Sequence, residues 1–161
     1  YLKEIRNNRL PGSLAYNFAL PDINGKIIHL SDFKGKVVLL DLYFNGCGAC
    51  AQVHPYLDTI KNRLKGRNFV LISVFWDTER ISKNAWTKLI ERNVFTNFEN
   101  LNVVARRSIR GQDPVFIRRL GSNVGGATLV YIGKDGKYLP NPVIPTFDGG
   151  KAALKLISDN L

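Results

Sequence analysis

Apolar positions along the chain fall into short runs with two different periods. "YNFAL" (16–20) alternates, "NGKIIHL" (24–30) follows, and Asn24-Gly25 predicts a hairpin turn between them. "SDFKGK" is a turn-rich connector. "VVLLDLYF" (37–44) is then almost continuously apolar, rich in β-branched and aromatic types. Such a run suits a strand buried on both faces, at the centre of a parallel or mixed sheet. Val53, Leu57, Ile60 and Leu64 recur at helical spacing, with Gly66 as a stop. "NFVLISVFW" (68–76) predicts a second buried strand, and "LNVV" (101–104) a short third one. Between them, Ile81, Ala85, Trp86, Leu89 and Ile90 mark a second helix, capped by Thr78 or Ser82. Asp113, Pro114 and Gly121 frame a short helix. "ATLVYIGKDGKYL" (127–139) predicts a second hairpin turning at Asp135-Gly136, and "GGKAALKLISDNL" a closing helix. The fold class is therefore α/β: a central mixed sheet flanked by helices, with an added N-terminal β-hairpin. Residues 1–15 form an expected arm or linker, and 16–161 a single domain.

A length of 161 residues suits one domain with one substantial core. No apolar run approaches the ~20 residues of a membrane-spanning helix. The chain has no methionine, so it is expected to be a processed or excised product. Any membrane association is expected to come from a segment ahead of Tyr1. The net charge of +10 favours acidic partners. Its densest basic stretch, Arg106, Arg107, Arg110, Arg118 and Arg119, carries no interleaved aromatic platform and no nucleic-acid motif. It is expected to be a solvated basic face, and nucleic acid is not among the expected partners.

The chemistry concentrates in "DLYFNGCGACAQVHP" (41–55), where the chain's two cysteines, Cys47 and Cys50, stand three apart. A structural zinc site needs four ligands, and only His29 and His54 could join the pair. Haem attachment needs histidine after the second cysteine, where Ala51 stands. As a staple, so short a loop would stabilise little. Redox chemistry remains. Cys47 lies at the expected strand-to-helix junction, where free N–H groups and the helix dipole favour a thiolate. Cys50, about one turn on, could attack a mixed disulfide formed at Cys47. No metal and no bound cofactor are expected.

"NGKIIHLSDFKGKVVLLDLYFNGCGACAQVHPYL" resembles the thioredoxin superfamily, specifically the extracytoplasmic thiol–disulfide oxidoreductases of the TlpA and ResA kind. The resemblance covers the chain from about Phe18 to the last helix. Pro55 matches a proline that kinks the family's active-site helix. Asp41 matches an acidic residue beneath the cysteine pair in thioredoxins. A carboxyl within an apolar strand has a raised pKa, and its implied role is to take the proton from Cys50. The rival role for Asp41 is a carboxylate satisfied by local hydrogen bonds. The resemblance implies a protein disulfide as substrate, a thiol as electron donor, and a periplasmic or membrane-anchored location. The substrate-docking edge is implied at Gly46, Gly126, Ala127 and Thr128.

Three positions depart from the family pattern. Gly46 stands where tryptophan is usual, and Gly48-Ala49 where Gly-Pro is common; both changes are expected to leave Cys47 more exposed. Ala127 stands at the usual cis-proline, and a trans bond is expected there. "VIPT" (143–146) has similar letters but follows the hairpin. Tyr43, Phe44 and Trp76 are candidates to line the site or to pack at its rim. Asp77 or Glu79 could lie near the cysteines, and His29 is expected on the hairpin surface. The reading that follows is a disulfide reductase working through Cys47, Cys50 and Asp41. One alternative is a partner-binding domain with a vestigial cysteine pair. A peroxiredoxin needs threonine where Phe44 stands.

Overall fold

The computed structural model describes residues 9–120 and 127–161. Strands β1 (Ala19–Pro21) and β2 (Ile27–His29) pair antiparallel as the N-terminal hairpin. Pro21 pairs with Ile27, so the connection is longer than a two-residue turn. Asp22 organises it, its Oδ1 accepting from the N–H groups of Asn24 and Lys26. Gly25 supplies the left-handed residue, at φ 82°. The connector "SDFKGK" begins within a 3-10 turn, Leu30–Phe33, whose Asp32 carboxylate accepts from the His29 N–H.

The main sheet has β3 (Val37–Tyr43), β4 (Phe69–Asp77), β5 (Leu101–Arg106) and β6 (Thr128–Ile132) in the order β5-β4-β3-β6. β3 pairs parallel with β4, and β4 with β5, while β6 runs antiparallel to β3. This is the expected mixed sheet, with the continuous apolar run at its centre: every residue of β3 is buried. Helix α1 (Gly48–Arg63) crosses from β3 to β4, as a parallel pair requires. Helix α2 (Lys83–Glu91) is capped by Ser82, whose Oγ accepts from the Ala85 N–H at 3.1 Å. Helix α3 (Val115–Leu120) follows Pro114, but Asp113 is engaged by Arg107 at 2.9 Å. The Gly121 stop lies outside the described residues. The second hairpin turns at Gly133–Gly136, and its return arm meets β6 through Ile132 and Tyr138. Residues 12–15 also bond to that arm, with Gly12 N–H donating to the Tyr138 carbonyl and Leu14 bridging Lys137. "VIPT" runs into a short helix, α4 (Pro145–Asp148), followed by α5 (Lys151–Asp159).

Strand alternation sends β3 side chains to two cores. Val38, Leu40 and Leu42 pack with Phe18, Ile28, Phe116 and Ile117 from the hairpin and α3. Val37 and Leu39 pack with Val53, Leu57 and Ile60 of α1 and Ala153 and Ile157 of α5. Each fully buried aliphatic side chain contributes roughly 1.5–3 kcal/mol. These two layers clamp β3, so the chain leaving its C-terminal end emerges at a fixed point beneath the start of α1.

Candidate active site

Beyond Tyr43 the backbone turns through Phe44, Asn45 and Gly46, and the Cys47 N–H donates back to the Phe44 carbonyl at 3.2 Å. Gly46 has φ 85°, a conformation costly for any residue with a Cβ. Cys47 is the N-cap of α1, and its Sγ accepts from the Cys50 N–H at 3.2 Å. The expected junction is therefore present, with the first cysteine's sulfur at the positive end of the helix. Cys47 and Cys50 are joined as a disulfide, their Cα atoms 5.3 Å apart. Pro55 lies inside α1, where its missing N–H leaves the Ala51 carbonyl without its usual helical donor.

The expected exposure of Cys47 does not hold in this disulfide form: Cys47 is 3% exposed and Cys50 2%. The cover comes from elsewhere in the chain. Both sulfurs sit in an apolar cluster with Tyr43, Phe75, Trp86, Leu89, Ile90 and Phe95, against which Phe44, Ala51 and Ala127 also pack. Tyr43 stacks on Phe75 and Phe95, and Phe75 on Trp86. The Trp86 Nε1–H donates to the Tyr43 hydroxyl at 3.1 Å, which fixes this aromatic floor. Sequence reasoning placed Trp86 on the apolar face of α2 but not against Tyr43, because that contact spans 43 residues of chain.

Asp41 is 2% exposed. It sits two residues from Leu39 and two from Tyr43, so it shares their side of the sheet. That side carries α1 over Leu39 and the cysteine pair over Tyr43. The carboxyl therefore lies on the side of the sheet that carries the opening turns of the helix. Burial pushes its pKa from 3.8 up to about 8. No hydrogen bond or ion pair to the Asp41 carboxyl is present among the described residues.

The other candidates divide. Phe44 meets Trp76 edge-on at 6.1 Å, and the Arg107 guanidinium lies 5.6 Å over the Trp76 ring. This aromatic and cationic rim flanks the turn that leads to Cys47. Asp77 is buried and structural: it pairs with Arg106 at 2.8 Å and accepts from the N–H groups of Glu79 and Ile81. Arg106 and Arg107 thus have partners, unlike a freely solvated face. His54 is buried, and its Nε2 bonds Asn93 Oδ1 at 2.9 Å. His29 is half-exposed at the end of β2, near Asp32. Thr128 opens β6 opposite Leu42, and Ala127 packs against the cluster holding the cysteines. Gly126, and with it the bond entering Ala127, lies outside the described residues. No helix among the described residues is long and apolar enough to cross a membrane.

Comparison with known proteins gives a consistent picture. The family model described as Redoxin matches residues 10–137. The thiol-disulfide oxidoreductase ResA of Bacillus subtilis is 35% identical over 77 residues, 48% of this chain and 43% of that protein. The chain thus spans less than half the length of the curated relatives it matches. Among solved structures, the thioredoxin domain of a thiol-disulfide oxidoreductase from Bacteroides vulgatus is 26% identical. Its TM-score is 0.63, and the match covers 81% of this chain and 86% of that one. A thiol:disulfide interchange protein from Bacteroides sp. is 27% identical with a TM-score of 0.62, covering 82% and 80%.

Proposed function

The chain belongs to the Redoxin family, and we propose that within it the protein is a thiol–disulfide oxidoreductase that reduces protein disulfides. The observation that carries this reading is the bonded Cys47–Cys50 pair at the N-terminus of α1, above the buried Asp41 carboxyl. The names of the relatives support the same chemistry. In the reduced protein, the Cys47 thiolate attacks one sulfur of a substrate disulfide, forming a mixed disulfide while the other substrate sulfur leaves as a thiolate. The Cys50 thiol gives its proton to the Asp41 carboxylate. Its sulfur then attacks Cys47 Sγ, closing the Cys47–Cys50 bond and releasing the second substrate thiol. Two electrons pass from the pair to the substrate, and an external thiol donor restores the dithiol.

The Cys50 N–H and the helix dipole stabilise the Cys47 thiolate, which makes Cys47 the attacking sulfur. Gly46, Ala127 and Thr128 are the described residues of the edge along which a substrate segment lies. Relatives of the ResA kind imply an extracytoplasmic setting, periplasmic or membrane-anchored. The burial of both sulfurs favours one second reading: a domain that binds a partner protein and keeps the pair as a vestige. Cys50→Ser separates the two. With the resolving thiol gone, the variant is expected to accumulate mixed disulfides through Cys47 when mixed with an oxidised model protein. Absence of any Cys47 adduct, with the variant folded, would favour the second reading.

A further inference from the structure

The mechanism leaves a proton on a carboxyl with almost no contact with water, and Tyr131 is a buried residue on the same side of the sheet. In the sheet, Asp41 of β3 faces Leu129 of β6, and Tyr131 lies two residues further along β6. Leu129 and Tyr131 therefore share the face of Asp41, with Tyr131 its diagonal neighbour, within reach of a long aromatic side chain. Tyr131 is 2% exposed, and among the described residues its hydroxyl has no hydrogen-bond partner. A buried hydroxyl left without a partner is destabilising, so its presence on the face of a functional carboxyl calls for a role. The charges of Asp41 and Asp148 both act on the Tyr131 phenol, and burial with these two carboxylates raises its pKa. Asp148, in α4, is half-buried and held in place by the N–H groups of Gly150 and Ala152.

Resting on the Asp41 reading above, we infer that Tyr131 is a positioning residue: its hydroxyl, through one bridging water, donates to the ionised Asp41 carboxylate and links it to Asp148 at the surface. The phenol stays protonated between turnovers. When Asp41 releases its proton, the Tyr131 oxygen receives a proton on one side as its own passes towards Asp148, so the phenol is unchanged and the proton reaches solvent. The titratable groups turned to this face are few. β3 offers Asp41 and Tyr43, β6 offers Tyr131, α1 offers the cysteine pair and His54, and α4 offers Asp148. Tyr43 is already bonded to Trp86, His54 bonds Asn93 through Nε2 while its Nδ1 has no partner among the described residues, and α5 contributes the apolar Ala153 and Ile157. Tyr131 is thus the group on this face with a free hydroxyl.

Tyr131→Phe removes only that oxygen and keeps the ring that packs in the core. The test follows Asp41 by carboxyl-carbon NMR across pH 5 to 10, and the pH profile of mixed-disulfide resolution by stopped flow. Loss of one donor to a charged group is expected to raise the Asp41 midpoint by about one pH unit and to slow resolution at pH 7 roughly tenfold. The rate should recover as the pH rises. A merely structural tyrosine would change stability and leave both profiles in place. An unshifted Asp41 midpoint in Tyr131→Phe overturns the inference. Asp41→Asn tests the reading beneath it separately. If that variant resolves mixed disulfides with the wild-type pH profile, the catalytic role of Asp41 falls, while the NMR titration still decides whether Tyr131 bonds to it.

Discussion

Replacing Asp41 by Asn should make the oxidised protein more stable, and increasingly so as pH rises. The carboxyl titrates near 3.8 when unfolded and near 8 when folded, because burial disfavours its charged form. Below pH 3.8 it is protonated in both states and contributes nothing to the pH dependence. Between 3.8 and about 8 the folded state holds a proton that the unfolded chain has released, so stability falls as pH rises. Above about 8 the loss is complete. At about 1.4 kcal/mol per pH unit, the full interval amounts to roughly 5–6 kcal/mol. That is a large fraction of the ~5–15 kcal/mol that holds a typical domain together. An Asn side chain carries no charge at any of these pH values. Its buried amide costs about what the neutral carboxyl does, so the two proteins should match near pH 4. Urea unfolding of the oxidised wild type and variant, at intervals from pH 4 to 9, reads the difference directly. The gap should widen by about 1.4 kcal/mol per pH unit through pH 5 to 7 and level off above 8. Two curves that run parallel from pH 4 to 9 would refute the argument, since Asp41 would then titrate alike in both states.

Gly46→Ala should destabilise the protein by about 1–2 kcal/mol through its backbone alone, because φ is 85° and an added Cβ would meet no atom within 4 Å. A neutral result in urea unfolding would mean that the turn before Cys47 adopts another conformation. Tyr43→Phe should cost about 1–3 kcal/mol, since it strands the buried Trp86 Nε1–H that now donates to the Tyr43 hydroxyl. Unchanged stability and unchanged Trp86 fluorescence would show that this bond is not made.

The parts of the fold legible in the sequence are those set by local pattern. The apolar run from Val37 announces a central strand, because burial on both faces leaves no polar alternation. The cysteine spacing after that run places both sulfurs at a helix start. Contacts between distant segments were not legible. The expectation of an exposed Cys47 rested on its immediate neighbours, Gly46 and Gly48-Ala49, whereas the cover comes from Phe75, Trp86 and Phe95 far along the chain. Tyr131 carried no signal at all: a tyrosine in an apolar strand looks like core packing. Only the register of β6 against β3 reveals that it shares a face with Asp41. Asp113 adds a further contact of this kind: its carboxylate pairs with Arg107, which helix propensity does not encode.

The central claim is that the Cys47–Cys50 pair transfers two electrons to a protein disulfide, and a single-turnover experiment tests it most directly. Fully reduced protein is mixed with an equimolar disulfide-bonded peptide at pH 7, quenched with acid, alkylated and read by mass spectrometry. The account predicts that each Cys47–Cys50 bond formed is matched by one peptide disulfide reduced, with the transient adduct mapping to Cys47. A reduced pair that stays reduced beside an intact peptide disulfide, or an adduct found on Cys50 instead, would contradict it.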